Sequence, residues 1–317
     1  MTAIEVGIVN YPKVMQSSLY GLEELFLLAN QLGEQHELQQ HFSVSLFDLA
    51  SVEQSLTGLG RGKSVSSLQI VIIPPSVDGD YYLSPEQDLQ DWILKQHASG
   101  AVMCSACAGA FVLAATGLLN NRPATTHWGL AAGFENQFPA VKLDINKILI
   151  NEGDIITAAG LMSWIDLGLE LVAQFMNPSI MRQLGKILIV DTGMREQRYY
   201  QSFTPRMDHG DQAVLKAQHH LQQNFHKPVK VSALSRLSIL TERTFLRRFV
   251  KATGFKPIQY LQRLRIQKAC NMIESSNDTF ESISFSVGYE DASAFRKTFL
   301  KIVGLTPRDF KRRFSAH

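Results

Sequence analysis

The stretch TERTFLRRFVKATGFKPIQY, at residues 241–260, returns fifty positions later as DASAFRKTFLKIVGLTPRDF, at residues 291–310. The two copies share a framework of aromatic residues, glycine and proline: Phe245 with Phe295, Phe249 with Phe299, Gly254 with Gly304, and Pro257 with Pro307. A repeat at a fixed period indicates a duplicated structural unit. With the residues before it, each copy predicts a short helix, a basic helix with an aromatic inner face, and a Gly-x-x-Pro stop. That order is typical of a helix-turn-helix, which places a helix in a DNA groove.

Helical spacing predicts further helices around the two copies. The predicted helices cover residues 211–225, 231–237, 242–253, 258–273, 281–287 and 292–301. The predicted N-caps are Ser232, Thr241 and Asp291, because short oxygen-bearing side chains accept hydrogen bonds from the first backbone N–H groups of a helix. Phe245 and Phe249, one turn apart, are predicted to pack inward together with Val250.

The polar face of each basic helix contains the predicted DNA contacts. An arginine near the start of a recognition helix can donate two hydrogen bonds to guanine, so Arg243 and Arg247, with Leu246 beside them, are predicted to read bases. Arg248 and Lys251 are predicted to bind phosphates. In the second copy the predicted contacts are Ala292, Ser293, Arg296, Lys297 and Lys301. Because Ala and Ser have little hydrogen-bonding reach, the second helix should depend more on phosphates. A solvated basic face is the alternative, which the repetition disfavours.

Charge is divided unequally along the chain. Residues 211–317 contain 19 Lys and Arg against 8 Asp and Glu, a net charge of +11, whereas residues 1–210 contain 12 against 21, a net charge of −9. The overall charge of +2 therefore results from cancellation. A basic module attached to an acidic one separates a part that binds a polyanion from a part that need not touch DNA.

The sequence also indicates where in the cell the protein is located. The N-terminus has no secretory signal pattern, and the longest apolar run, near residues 106–119, is too short to cross a bilayer. Three cysteines without a secretory signal favour a reducing cytosol. A cytoplasmic protein with no membrane association is predicted.

The N-terminal two-thirds alternate between strand and helix patterns. Predicted strands cover 4–9, 42–47, 68–73, 101–104, 148–151 and 155–158, and predicted helices cover 17–32, 85–98, 108–115 and 163–175. Such alternation predicts an α/β fold with a doubly wound, flavodoxin-like parallel sheet, and Glu152-Gly153-Asp154 predicts a hairpin between the last two strands. The predicted domains are residues 1–190 and 211–317 (the latter all-α), with a linker over 191–210 that is rich in Arg, Gln, Tyr and Ser.

One N-terminal segment could support chemistry. Residues 101–111 predict a buried strand that turns sharply into a helix at Cys107, the geometry of a nucleophile elbow. At a helix N-terminus the helix dipole is expected to lower the pKa of a thiol. Cys104 and Cys107 also form a C-x-x-C pair, but no further ligands at suitable spacing predict a metal site. A redox switch through Cys107 remains an alternative.

The elbow, together with Ala-Thr-Thr-His-Trp at 124–128, Thr157-Ala-Ala-Gly160 and Ile165-Asp166, resembles the ThiJ/PfpI, amidotransferase-like fold over about residues 4–185. The resemblance implies that Cys107 and His127 lie together at the carboxyl edge of the sheet. Active members set an acidic residue of the first helix against the thiol, and Ser18 stands at that position. The glycine pair after the third strand appears as Pro74-Pro75-Ser76, and proline has no N–H to offer an oxyanion.

These departures favour a small-molecule receptor pocket over an enzyme. The predicted pocket residues are Cys107, His127, Ser18 and Ser76, with no catalytic residue, metal or cofactor. A cysteine hydrolase or glyoxalase-like activity is an alternative, as is an inert fold.

The C-terminal module resembles the AraC/XylS-type DNA-binding domain over about residues 213–315. The resemblance is based on Arg-x-Phe-x-Arg-Arg-Phe at 243–249, Thr-Gly-Phe-Lys-Pro at 253–257, Val-Gly-Tyr at 287–289 and Gly-Leu-Thr-Pro-x-x-Phe at 304–310. It implies two helix-turn-helix units on a stiff linker helix, reading major-groove segments ~34 Å apart. The first turn, Leu237-Ser238-Ile239, lacks the usual glycine.

Together the two halves resemble the GlxA-type branch of AraC regulators. The resemblance implies a sequence-specific transcriptional regulator that binds double-stranded DNA, forms a homodimer and contacts RNA polymerase. It favours activation over repression and a small nitrogenous metabolite as effector.

Overall fold

The computed structural model describes residues 2–48, 68–193 and 195–315. The chain forms two compact units, Met1–Gln197 and Arg198–His317. The division between them lies inside the stretch 191–210 that the sequence assigns to a linker.

A six-stranded sheet forms the centre of the first unit. Its strands are β1 Thr2–Asn10, β2 Gln40–Asp48, β3 Ile70–Ile73, β4 Val102–Ala106, β7 Leu149–Asn151 and β8 Ile155–Ala158. Strands β5 Pro123–Ala124 and β6 Lys142–Leu143 form a separate two-stranded sheet. The strand order is β2-β1-β3-β4-β8-β7, parallel throughout except for the predicted β7–β8 hairpin. All four residues of β3 are buried, as expected for a parallel strand covered on both faces. The predicted α/β fold is confirmed.

The described residues of the first unit contain six helices. They are α1 Gln16–Gln35, α2 Gln87–Ala98, α3 Gly109–Ala115, α4 Ala131–Gln137, α5 Trp164–Phe175 and α6 Pro178–Leu188. Helix α1 packs against β2, α5 and α6, whereas α2 and α3 pack against each other and against β4. Helix α6 was not predicted, although Asn177 caps it by accepting from the backbone N–H groups of Ser179 and Ile180, and Pro178 occupies its first turn.

The regular secondary structure of the second unit, in the residues that the structure describes, consists of helices. Its helices are α7 Gln212–Gln223, α8 Val231–Leu237, α9 Glu242–Thr253, α10 Pro257–Ser275, α11 Phe280–Ser286, α12 Ala292–Val303 and α13 Pro307–Phe314. The two copies of the repeated sequence pack their aromatic rings in the same way. Phe249 lies 5.4 Å from both Phe245 and Tyr260, and in the second copy Phe299 lies 5.6 Å from both Phe295 and Phe310, measured between ring centroids. Each copy therefore has its own aromatic core.

The long helix α10 contributes to both cores. Its first half buries Tyr260, Leu261 and Leu264 in the first core, and its second half buries Ile266 and Ile273 in the other. This arrangement confirms the predicted linker helix between two helix-turn-helix units.

Several local predictions can be compared with the structure. Thr241 and Asp291 cap α9 and α12 as predicted, accepting from backbone N–H groups of the first turn. Ser232 was the wrong cap, because α8 begins after Lys230, which adopts the extended conformation. Val250 is 39% exposed rather than packed inward, since it lies about 100° around the helix from Phe249. The stop at Pro307 also begins a further helix, α13, that was not predicted.

In the turn of the first helix-turn-helix, Ile239 adopts a backbone conformation that glycine usually provides. Ile239 adopts a left-handed conformation with φ 55°, and its side chain is 87% exposed. The corresponding turn of the second helix-turn-helix has Gly288, with φ 90°. A left-handed conformation costs a β-branched residue about 1–2 kcal/mol, so this turn is strained.

We expect Ile239→Gly to raise the free energy of unfolding by about 1 kcal/mol, because relief of the strain exceeds the added entropy of the unfolded chain. Urea unfolding followed by circular dichroism measures the change. Val250→Gly is the matched control: it removes another exposed β-branched side chain, but from a helix, and should cost about 1 kcal/mol. Destabilisation by both substitutions would contradict the assignment of strain to Ile239.

Candidate functional site

The turn at Cys107 has the predicted elbow geometry. Strand β4 ends at Ala106, Cys107 adopts a left-handed conformation with φ 52°, and α3 begins at Gly109. The Cys107 N–H donates to the carbonyl of Ala158 at 2.8 Å, which holds the turn against the end of β8. Gly109 faces the backbone carbonyls of Ile73 and Pro74 so closely that any side chain there would collide with them. The sharp turn therefore depends on glycine two residues after the cysteine.

The predicted low pKa of the Cys107 thiol is wrong. The side chain is only 4% exposed, and burial raises the pKa of the thiol to about 11, although backbone hydrogen bonds from Ala108 and Gly160 lower it in part. Desolvation therefore outweighs the two backbone hydrogen bonds that favour the thiolate. Cys104 is completely buried, and burial raises its pKa as well.

We expect alkylation of Cys107 in the folded protein to accelerate about tenfold for each pH unit between pH 7 and 10, because the thiolate is the reactive form and its population rises toward the pKa. Mass spectrometry after timed exposure to iodoacetamide measures the rate. A rate that levels off near pH 8 would show that the thiol has an ordinary or lowered pKa. Alkylation of unfolded protein supplies the reference profile.

The His127 segment lies directly against the elbow. The hydroxyl of Thr126 donates to the carbonyl of Cys107 at 2.7 Å. The Nδ1 atom of His127 accepts from the Gly129 N–H at 3.1 Å, so the neutral ring carries its proton on Nε2. Burial lowers the pKa of His127, and its ring lies 5.1 Å from that of Trp128. At neutral pH this histidine is an uncharged group beside the cysteine turn.

Ser18 and Ser76 lie on two neighbouring chain segments that are joined by hydrogen bonds. The buried Ser18 hydroxyl donates to the Met15 carbonyl at 2.6 Å, and the Ser76 hydroxyl lies 2.9 Å from the Lys13 carbonyl. The Met15 N–H in turn donates to the Pro75 carbonyl at 2.8 Å, which joins the start of α1 to the end of β3. Neither serine offers a carboxylate, and their role in ligand binding stays a prediction.

Sequence reasoning missed two side chains near this turn. Tyr11 is buried and donates its hydroxyl to the Pro74 carbonyl at 2.6 Å. Burial raises the pKa of Tyr11, and the charge of the nearby Cys107 thiolate raises it further. Gln197, the last residue of the first unit, is 3% exposed. Its side-chain oxygen accepts from the Trp128 N–H at 2.6 Å, and its amide nitrogen donates to the Thr126 carbonyl at 3.1 Å. Gln197 thus ties the end of this unit to the His127 segment.

Most of the predicted DNA contacts are on the surface of the second unit. Arg243, Arg247 and Lys251 are exposed on α9, and Leu246 is half-buried beside them. On α12 the half-buried Ala292 is followed by the exposed residues Ser293, Arg296, Lys297 and Lys301. Arg296 also pairs with Glu281, which is likewise exposed to solvent. Each recognition helix therefore presents a basic face opposite its aromatic core.

Arg248 is the exception. Its Nε and Nη2 atoms donate to the two carboxylate oxygens of Asp211, at 2.8 and 2.6 Å. The same carboxylate caps α7, and the hydrogen bond from Arg248 holds its pKa below the usual value. This bidentate pair joins α9 to α7 and uses two of the five N–H donors of the guanidinium, so the role of Arg248 as a phosphate ligand stays a prediction.

Arg265, on the linker helix α10, was also missed. Its guanidinium donates to the carbonyls of Phe225, Gly288 and Lys227, at 2.7, 2.8 and 3.0 Å. The first and third carbonyls follow α7, whereas Gly288 is the turn of the second helix-turn-helix. Arg265 therefore connects the two helix-turn-helix units. Its position between the buried Leu264 and Ile266 is a signal that could have identified it.

The described residues contain no cluster of three His, Cys, Asp or Glu able to hold a metal ion. All three cysteines are buried and free. No helix in the part of the chain that the structure describes is long and apolar enough to cross a membrane.

Part of each unit is similar to a known protein family. Residues 234–313 match the helix-turn-helix domain family, and residues 63–174 match the DJ-1/PfpI family. The chain is 26% identical to the HTH-type transcriptional regulator ArgR of Pseudomonas aeruginosa, over 68% of this chain and 66% of that one. It is 24% identical to the HTH-type transcriptional regulator GlxA of Rhizobium meliloti, over 65% of this chain and 64% of that one. Isonitrile hydratase of Pseudomonas putida is 27% identical over 54% of this chain and 72% of that one.

The chain therefore combines a DJ-1/PfpI domain with an AraC-type helix-turn-helix domain. GlxA, ArgR and CdhR are similar to this chain at 24–26% identity. The alignments span just under two thirds of the length of these relatives.

Proposed function

We propose that this protein is a sequence-specific transcriptional regulator that binds double-stranded DNA. The observation that supports this most directly is the duplicated basic helix, since α9 and α12 each expose cationic side chains opposite an aromatic core. The similarity of the chain to ArgR and GlxA, both HTH-type transcriptional regulators, supports the same proposal. Cytoplasmic location, homodimer formation and contact with RNA polymerase complete the proposal.

The first unit acts in this proposal as a receptor for a small-molecule effector at Cys107 and His127 rather than as an enzyme. Three features disfavour catalysis: the thiol has a raised pKa, Ser18 stands where an acidic residue would, and the loop after β3 contains Pro74 and Pro75. A catalytic thiol at neutral pH needs a lowered pKa or an adjacent base. Turnover of an isonitrile or an amide by the full chain, abolished by Cys107→Ser, would overturn this part of the proposal.

Gln197 offers a route from the receptor to DNA. Its side chain binds the backbone on both sides of His127, and the next residue, Arg198, begins the DNA-binding unit. An effector that shifts the His127 segment would change the hydrogen bonds of Gln197. The conformation of the chain just before the second unit would then change as well. Such a ligand regulates only if its affinity differs between the two arrangements.

Genome-wide mapping of the sites bound by the full chain tests the function. We expect a small number of discrete sites that share a sequence motif. Binding to a recovered site should weaken steeply with salt, with a linear plot of log K against log salt concentration. A scrambled duplex of equal length and composition is the control. Equal affinity for the site and the scrambled duplex would contradict sequence-specific regulation.

A further inference from the structure

A cavity in the second unit lies beside the basic face of the second recognition helix. It has a volume of about 380 Å³ and is bounded by the start of α11, residues 296–300 of α12 and the start of α13. This volume is within the range of sites for small organic ligands. The cavity therefore places a space for a ligand next to predicted DNA contacts.

One wall of the cavity is apolar. Phe280, Leu300 and Pro307 form this wall. Leu300 is 47% exposed although it is a large apolar side chain on a recognition helix. Because removal of apolar surface from water is favourable, a guest with an apolar chain gains affinity here that a purely polar anion does not.

Every charged residue in the lining is basic. The three are Arg296, Lys297 and Arg308, and all are exposed; we call them the basic rim. Among the described residues, no carboxylate forms an ion pair with Lys297 or Arg308. Two cations of the basic rim are therefore available to a guest.

Neighbouring carboxylates compensate only part of this charge. Glu281 pairs with Arg296, whereas Asp309 pairs with an arginine outside the lining. Hydrogen bonds from the backbone at the start of α12 lower the pKa of Asp291, and the charge of Lys297 lowers it further. Three cations are thus set against two carboxylates, and the field that remains favours an anionic guest.

The basic rim is not part of the framework that the two copies share. In the first copy, Leu246 stands in place of Arg296 and Ile258 in place of Arg308, so only Arg247 is basic at the three corresponding positions. Both copies nevertheless form the same helices around an aromatic core. The two additional cations are therefore not required by the helix-turn-helix fold.

We infer that this cavity binds a small organic anion with an apolar chain, of the class of medium-chain carboxylates. The carboxylate lies between Lys297 and Arg308, and the chain lies against Phe280 and Leu300. Because Arg296 and Lys297 are also predicted DNA contacts, the bound anion and DNA compete for the second recognition helix. This competition rests on the proposed DNA-binding function, whereas the binding of the anion does not.

Calorimetric titration of the full chain with sodium octanoate tests the inference. Sodium acetate, which has the same charge without the chain, and octylammonium chloride, which has the chain with the opposite charge, are the matched probes. We expect octanoate to bind about tenfold more tightly than either probe, or better. Absence of octanoate binding at about 10 mM, or equal binding of acetate or octylammonium, would overturn the inference.

Variants locate the binding. Arg308→Ala removes a cation of the basic rim and Leu300→Ser removes apolar wall, and each is expected to weaken octanoate binding about tenfold. Both side chains are exposed, so neither substitution removes a buried core contact. Lys186→Ala, which removes an exposed cation from α6, is the matched control and should leave the affinity unchanged. Octanoate affinity retained in both cavity variants places the anion elsewhere and overturns the inference.

Competition is measured with a labelled duplex that contains a recovered site. Octanoate should lower the affinity for this duplex more than sodium acetate at the same concentration, since acetate reproduces the effect of the added salt. This additional loss should disappear in Arg308→Ala and Leu300→Ser, and an equal loss with the two salts would overturn the competition. DNA binding by a chain that binds no octanoate would refute this site and leave the proposed regulator intact. Octanoate binding by a chain without preference for the site would support the cavity and refute the regulator.

Discussion

Replacing Arg265 with alanine is expected to lower the free energy of unfolding of the second unit by about 3 kcal/mol. The guanidinium donates three hydrogen bonds to backbone carbonyls and lies over the Tyr289 ring, with its central carbon 5.5 Å from the ring centroid. Alanine would leave these partly buried carbonyls without their charged donor. Lysine carries the charge but lacks the planar fork, so Arg265→Lys should restore only part of the loss.

The placement of tryptophan allows this loss to be assigned to one unit. The three tryptophans of the chain, Trp92, Trp128 and Trp164, are all in the first unit, so their fluorescence reports its unfolding alone. Circular dichroism reports the helices of both units. The Arg265 variant should shift only the transition seen by circular dichroism.

Arg263→Ala is the matched control for Arg265. Arg263 belongs to the same helix and lies over the Phe255 ring at 4.7 Å, an interaction of about 1 kcal/mol or less at an accessible site. Equal destabilisation by the two alanine variants would show that the three carbonyl contacts do not hold the two helix-turn-helix units together. Because Arg265 fixes the Gly288 turn to the linker helix, its loss should also reduce binding to DNA that presents two half-sites at one fixed spacing.

The sequence was most informative where a short-range pattern determines the structure. The aromatic pairs one turn apart, the Gly-x-x-Pro stops and the caps Thr241 and Asp291 all act within a few residues, and each recurs in the second copy. Repetition separated these signals from chance. The alternation of strands and helices predicted the sheet for the same reason, since period and burial are local properties of the chain.

The contacts that sequence reasoning missed join residues far apart in the chain. Arg248 binds Asp211 across 37 positions, and Gln197 binds the Trp128 backbone across 69. Neither pair has a local signature, because each depends on how packed elements meet. The error at Cys107 has a different cause. A helix dipole is visible in the sequence as a helix start, whereas the depth of burial that opposes it is a property of the whole fold.

Arg247→Ala is expected to cost about 1–3 kcal/mol of affinity for the recovered DNA site, a loss of roughly 5- to 150-fold, and to relax the preference at one base pair. Arg247 is exposed on α9, on the face away from the buried Phe245 and Phe249, and can offer a planar pair of donors to guanine. Titration of the site and of its single-base variants with the full chain measures both effects.

The second copy supplies the matched comparison, because Lys297 stands where the first copy has Arg247. A lysine that neutralises a phosphate contributes affinity for all sequences alike, so Lys297→Ala should weaken binding to specific and scrambled duplexes by a similar factor and reduce the salt slope by about 1. Arg248→Ala should act through stability rather than base preference, because its partner is Asp211. If Arg247→Ala and Lys297→Ala changed specificity in the same way, the two helices would read DNA equivalently and the assigned difference between the copies would be wrong.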